Sequence, residues 1–155
     1  QRVPLVARMP GTIPAGRRCT DFFSALDLAP TITDMTDAHM PAKNNNFDGQ
    51  NVENLLLGGT VDHRPFYFVY SGKVEAVRDG RYKLVMPHSY RIVTEPGHGG
   101  VPGKQIAAGG STGLALYDLE KDPYEKNNIA AQHPDVTQRL EKLIIEFQKD
   151  IDSAK

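Results

Sequence analysis

The spacing of apolar positions changes twice along the 155 residues. Between His63 and Pro87 apolar and polar residues alternate, with "FYFVYS" followed by "KVEAVRDGRYKLVMP". A period of two predicts strands, here near 66–71, 73–78 and 81–86. Asp79 and Gly80 stand between the last two runs, and Asp-Gly there predicts a two-residue hairpin turn, since both residues tolerate positive φ. "LALYDL" predicts a fourth strand, after a Gly-rich and Pro-rich interruption from Thr94 to Gly113 that reads as a long loop. Beyond it the period lengthens. Val136, Leu140, Leu143, Ile144, Phe147 and Ile151 fall on one helical stripe with Pro134 at the first helical position, predicting a helix from 134 to about 150 lying on the sheet. Asp135 suits the helix N-terminus and has the spacing to pair with Arg139.

The first 62 residues are less regular. "RVPLVARMPG" is a short apolar run stopped by Pro10 and Gly11, as expected of a buried strand and a turn. Leu28, Ile32 and Met35 recur at helical spacing behind Asp27, an expected N-cap, so a helix is predicted over 28–37. "NVENLLLGG" predicts one or two helical turns stopped by Gly58 and Gly59. The reading is an α+β chain, with a strand and short helices ahead of a four-stranded antiparallel sheet packed by a C-terminal helix.

Bulk properties narrow the partners. A chain this long can remove roughly 70% of its unfolded surface from water, so a genuine core is expected. Eighteen basic residues oppose nineteen acidic ones, giving a net charge of −1. No general field then draws the chain to nucleic acid or to an anionic membrane surface, and neither partner is expected. No apolar run approaches the roughly 20 residues of a membrane helix. Cys19 is the single cysteine, so no disulfide forms within the chain.

Familiar chemistries are tested by spacing. His39, His63, His88, His98 and His133 show no zinc-ligand pattern. "EPGHGGVPGKQ" fails as a phosphate loop, because His98 stands where the first glycine belongs and Gln105 follows Lys104. No G-x-S-x-G serine is present. Asp118, Glu120, Asp122 and Glu125 crowd the connection between the last strand and the last helix, but lack the glycine and terminal Glu of a dedicated calcium loop. A well-satisfied corner, with Asp122-Pro123 as its turn and Glu125 and Asn128 bonding free amides, is the plainer reading.

That corner, "LYDLEKDPYEKNNIA", resembles the carboxy-terminal motif of the type I sulfatase (arylsulfatase) family, roughly L-Y-D-L-x-x-D-P-x-E-x-x-N-L-A, with Ile129 in place of leucine. "RVPLVARMPGTIPAG" is similar to the family's R-V-P-hydrophobic-W-P-G-x-I-P-A-G segment, with Met9 in place of tryptophan. "SALDLAPTITDM", "FDGQNVENLLLG" and "AVRDGRYKLV" resemble three further family segments, in the family's order.

The resemblance implies hydrolysis of sulfate esters by an intact protein that carries a formylglycine nucleophile, made from the cysteine or serine of a C-x-P-x-R signature, beside a calcium ion. Cys19 is followed by "TDFF" and is not that nucleophile. In the family the metal ligands and sulfate-binding lysines precede the R-V-P segment. This chain is therefore expected to be a C-terminal piece, inactive alone, with no catalytic residue and no cofactor of its own. Residues 1–62 would end a larger alkaline-phosphatase-like α/β catalytic domain, and residues 63–155 would form the antiparallel-sheet subdomain.

The expected partners are the missing N-terminal catalytic region and, in the intact protein, a sulfated small molecule or sulfated glycan. Self-association through an exposed N-terminal strand is a further expectation. The resemblance implies export to periplasm, lysosome or exterior. His88, Arg91 and His98 are the candidates for contact with the organic part of the substrate, in "PHSYR" and "EPGHGG" at the rim of the cleft. Two alternatives stay open: a stand-alone binding module related to the subdomain, with a polar surface around "RVPLVARMPG", and phosphate-ester hydrolysis.

Overall fold

A computed structural model describes residues 3–38 and 48–154, with residues 105–108 described by their backbone alone. The chain divides into two compact units, residues 1–62 and 63–155.

In the first unit a 3-10 turn, Ala25–Asp27, runs directly into helix α1, Leu28–Met35, and helix α2 spans Glu53–Leu57. The predicted helix is there but its cap differs. Ser24 accepts from Leu26 N, and the Asp27 carboxylate takes Ser24 N at 2.8 Å and Gln50 N at 2.9 Å, so Asp27 closes a capping box instead of capping α1. Thr31 Oγ1 donates to Asp27 O at 2.6 Å and accepts from Val52 N at 3.0 Å. Asp27, Thr31, Val52 and Leu55 are all buried, so this unit's small core is half polar and held by side-chain bonds to backbone. Gly58, with φ 113°, ends α2 as predicted, and Gly58 N and Gly59 N both donate to Asn54 O.

The predicted N-terminal strand does not form. Residues 3–9 make no ladder, because a strand needs a neighbour for its amides and none of the described residues supplies one. Met9 O accepts from Thr12 N and Ile13 N, closing the expected turn at Pro10-Gly11.

The second unit carries β1 (Phe66–Tyr70), β2 (Lys73–Asp79), β3 (Tyr82–Val85), β4 (His88–Glu95), β5 (Lys104–Thr112), β6 (Ala115–Asp118) and helix α3 (Pro134–Ser153). β1, β2, β3 and β6 form the expected four-stranded antiparallel sheet, in the order β1-β2-β3-β6. The β2–β3 turn lies one residue later than predicted. Asp79 pairs with Tyr82, leaving Gly80 and Arg81 as the loop, and Gly80 alone takes positive φ, 57°.

The stretch from Thr94 to Gly113 is not a long loop. It supplies the end of β4, a tip at 96–103, and all of β5, which pairs antiparallel with β4 in a separate two-stranded ribbon. Glycines hid the strand. Gly110 stands opposite Tyr90, and a Cβ on Gly110 would lie 2.4 Å from the Tyr90 ring, so the ring occupies the space a side chain would need.

α3 lays its stripe on one face of the sheet. Leu140 and Ile144 pack with Val74, Val77, Leu84 and Leu116, flanked by Tyr67, Ile129, Val136, Leu143, Phe147 and Ile151. Each fully buried aliphatic side chain there stabilises by roughly 1.5–3 kcal/mol. Polar bonds set the helix's position along the sheet: Gln148 Nε2 donates to Gly72 O at 3.0 Å while Gln148 Oε1 accepts from Val74 N at 2.9 Å. Arg139 pairs with Asp79 and not with Asp135, because packing brings the β2 end closer to its guanidinium.

Tyr67 stacks on Phe147 at 3.9 Å between ring centroids and 9° between planes. Burial first, then Glu146, Asp79 and Asp150, push its hydroxyl pKa above the ordinary tyrosine value. The stability tied to its neutral form is therefore complete below about pH 10 and falls as pH rises toward the folded-state pKa. Thermal melts between about pH 9 and 11 should show a shallower alkaline loss for Tyr67→Phe than for the wild type. Parallel losses would remove Tyr67 from the account.

Candidate functional site

Two places concentrate polar chemistry, the corner between β6 and α3 and the β4–β5 ribbon. Antiparallel register builds the first. Tyr82 lies opposite Asp118 and Lys83 opposite Tyr117, so the cations of the β2–β3 hairpin face the acids of the corner. Arg81 Nη2 donates to Asp118 Oδ2 and to the Tyr82 hydroxyl, at 2.8 and 2.9 Å. Burial works against the Arg81 charge, but Asp118, the Tyr82 hydroxyl and Glu120 outweigh it and push the guanidinium pKa up. Lys83 Nζ donates to both Glu125 oxygens at 2.8 Å and lies 4.9 Å from the centre of the Phe68 ring. Glu125 takes φ 55°, an uncommon conformation for a side-chain-bearing residue, where the Asp122–Glu125 turn and the Lys83 pair hold it. Burial, then Glu125 and Asp122, raise the Tyr117 pKa.

The rest of the corner is backbone satisfaction. Asp122 Oδ2 accepts from Lys126 N and Asn127 N, both at 2.7 Å. Asn128 Oδ1 accepts from Leu116 N and Ala130 N at 3.0 Å, and its Nδ2 donates to Leu114 O at 3.0 Å. The carboxylates of Asp118, Asp122 and Glu125 are thus all engaged, and no group of three or more His, Cys, Asp or Glu among the described residues is placed to hold a metal ion. These residues do not fit a calcium ion. The corner is a polar lattice in which these three carboxylates are engaged, while Arg81 Nε, among the described residues, is buried without a hydrogen-bond partner.

The ribbon holds the three residues expected at the cleft rim, and it strings them out instead of gathering them. His88 opens β4, Arg91 sits within it where the register shifts between Tyr90 and Ile92, and His98 lies at the tip, bridged to Val101. At about 3.3 Å per residue, β4 alone spans roughly 23 Å from end to end. Arg91 and His98 are exposed. His88 is half-buried, with Nδ1 2.8 Å from Met86 O and Nε2 3.6 Å from Glu75 Oε2. Of the other histidines, His133 precedes α3 with its ring 6.2 Å from Tyr82, His63 is exposed, and His39 lies outside the described residues. Cys19 is exposed, its sulfur 3.8 Å from Asp21 Oδ2.

Sequence reasoning missed the roles of Arg81, Lys83 and Glu75. "AVRDGRYKLV" stood out as a segment, yet only strand register shows that its Arg and Lys neutralise the corner.

Comparison with known proteins shows the family. Residues 61–155 match the C-terminal region of aryl-sulfatase. An N-acetylgalactosamine-6-O-sulfatase of Bacteroides thetaiotaomicron is 26% identical over 144 residues, which cover 92% of this chain and 26% of that protein. Arylsulfatase A of Homo sapiens is 32% identical over 157 residues, covering 92% of this chain and 29% of its own. A solved structure concerned with glycosaminoglycan metabolism in Bacteroides thetaiotaomicron aligns with 79% of this chain and 24% of its own, at 23% identity and a TM-score of 0.49. The chain thus spans between a quarter and a third of the length of these curated relatives. With its corner motif and sheet inside the matched region, the chain belongs to the sulfatase family, whose C-terminal region residues 61–155 represent.

Proposed function

We propose that these residues form the C-terminal part of an enzyme that hydrolyses sulfate esters, and that they serve its structure and substrate selection without carrying its nucleophile. The family match over residues 61–155 is the observation that carries this reading. The corner supports it: a lattice whose acids are already paired with cations and amides suits a wall of the protein better than a reaction centre.

The formylglycine nucleophile and its calcium ion belong, on this reading, to a preceding catalytic region, as does closure of residues 1–62 into its α/β domain. Val3, Leu5 and Val6 are 85%, 51% and 91% exposed, which supports a missing cover over the R-V-P segment more than the polar surface of a stand-alone binding module. Self-association through this segment would be the other way to cover it.

The substrate is a sulfated small molecule or sulfated glycan. His88, Arg91 and His98 are the candidates to meet its organic part, with Arg91 and His98 exposed along the ribbon and His88 at its root.

Incubating the 155-residue chain with calcium and a chromogenic aryl sulfate is expected to give no turnover above the buffer rate, whereas the full-length enzyme turns over. Sustained turnover by the chain would overturn the assignment of the chemistry. In the full-length enzyme, Arg91→Ala is expected to raise KM by about tenfold with kcat little changed, the pattern of lost uniform binding. An unchanged KM would take Arg91 out of the substrate site.

A further inference from the structure

The ribbon and the four-stranded sheet share no ladder hydrogen bonds and are joined through Met86-Pro87 on one side and Gly113-Leu114 on the other. A lone two-stranded ribbon is only marginally stable in water, so its order depends on what holds its root. His88, the first residue of β4, sits there. A carbonyl oxygen only accepts, so the 2.8 Å contact between His88 Nδ1 and Met86 O requires the proton on Nδ1. That choice leaves Nε2 of a neutral imidazole as an acceptor, and 3.6 Å away it meets another acceptor, Oε2 of Glu75 on β2.

Glu75 belongs to the sheet's frame, since its carbonyl accepts from Met86 N at 2.8 Å. Around the imidazole stand the Glu75 carboxylate from β2 and, on β4 itself, the Tyr90 ring at 6.3 Å; the β5 register partner, Thr112, bears no charge. Both His88 and Glu75 side chains are about a quarter exposed, at 23% and 27%, so solvent protons reach the pair while water screens it only in part.

We propose that His88 and Glu75 form a proton-operated latch that fastens the root of the β4–β5 ribbon to the sheet. When Nε2 gains a proton, two opposed acceptors become an ion pair 3.6 Å apart, and the first residue of β4 is drawn to β2. When the proton leaves, the tie is lost and the Met86 carbonyl alone holds the ring. Histidine side chains change charge between about pH 5 and 8, so the ribbon is more ordered toward the acid end of that range. The latch stands on this geometry and does not depend on the proposed sulfatase chemistry, although it would orient any residue the ribbon presents.

Amide hydrogen exchange of the 155-residue chain, corrected for the intrinsic pH dependence of exchange, tests the latch alongside nitrogen NMR of the imidazole. Ribbon amides in β4 and β5 are expected to be about two- to fivefold better protected near pH 5.5 than near pH 7.5, the range of a partly exposed ion pair. The α3 amides serve as the internal reference. In Glu75→Gln the side-chain amide donates to the neutral ring and loses the attraction to the cation, so the pH dependence should flatten or invert. The wild type alone gives a second reading, because the midpoint of ribbon protection should coincide with the midpoint of the His88 nitrogen shifts, and the neutral ring should carry its proton on Nδ1. Equal protection at both pH values, an unchanged pH dependence in Glu75→Gln, separate midpoints, or a neutral ring protonated on Nε2 would each overturn the latch.

Discussion

Asn128→Ala is expected to lower the stability of the sheet-and-helix unit by about 2–4 kcal/mol, read as a fall in the denaturant midpoint at constant m. The side chain serves three backbone groups at once: it accepts from Leu116 N and Ala130 N and donates to Leu114 O. Leu116 is fully buried in the middle of β6, so its amide has no ready route to water once Oδ1 is gone. Ile129 N still donates to Leu116 O, which keeps the chain nearby without restoring the lost acceptor. Asn128→Asp retains an acceptor for the two amides but opposes a carboxylate oxygen to the Leu114 carbonyl, so it should recover only part of what alanine loses. A loss below about 1 kcal/mol for Asn128→Ala would show that water or a rearranged turn replaces the side chain. The asparagine shared with the family motif would then need another explanation.

Gly49→Ala is expected to take apart the small polar core of the first unit. A Cβ at Gly49 would stand 1.9 Å from Leu26 O and 2.4 Å from Leu26 C. These are backbone atoms of the 3-10 turn, so no side-chain rotation relieves the overlap. The close approach lets Gln50 N reach the Asp27 carboxylate and brings Val52 N to Thr31 Oγ1. Forcing the segments apart costs about 3 kcal/mol or more, and it strands the buried Asp27 and Thr31 oxygens. Hydrogen exchange should show protection at the Gln50 and Val52 amides lost in Gly49→Ala and that of α3 retained. Gly113→Ala makes a fair control, with ordinary φ and open space where its Cβ would go. Retained protection at Gln50 and Val52 would mean that the turn can shift by more than an ångström at little cost.

Both predictions concern residues that stood out as motif letters and whose reasons appear only in three dimensions. Asn128 was read as a residue bonding free amides, and the structure names which amides. Gly49 carried no visible signal beyond the family-like "DGQ", because the atom it must avoid lies 23 positions earlier. The strands of the main sheet and the stripe of α3 were legible, since alternation and helical spacing report burial on one face. β5 was not: its glycines and alanines, "AAGG", lack the branched and aromatic residues that mark strands, and Tyr90 supplies from across the ribbon the bulk that Gly110 omits. The N-terminal run read as a strand because its pattern reports what a segment would bury, not whether a neighbour is present.

By itself, then, the sequence determined the local features of this protein: element type through apolar period, stops through Gly58 and the Pro134 start of α3, and family through ordered motifs. Tertiary structure decided the pairings. Lys83 meets Glu125, Arg81 meets Asp118, Arg139 meets Asp79 and His88 meets Glu75 because strand register and helix packing bring together charges far apart in the chain. Local propensity acts over a turn or two of backbone. A charge takes whichever partner the packed chain places within hydrogen-bond reach, and that position follows from the whole fold.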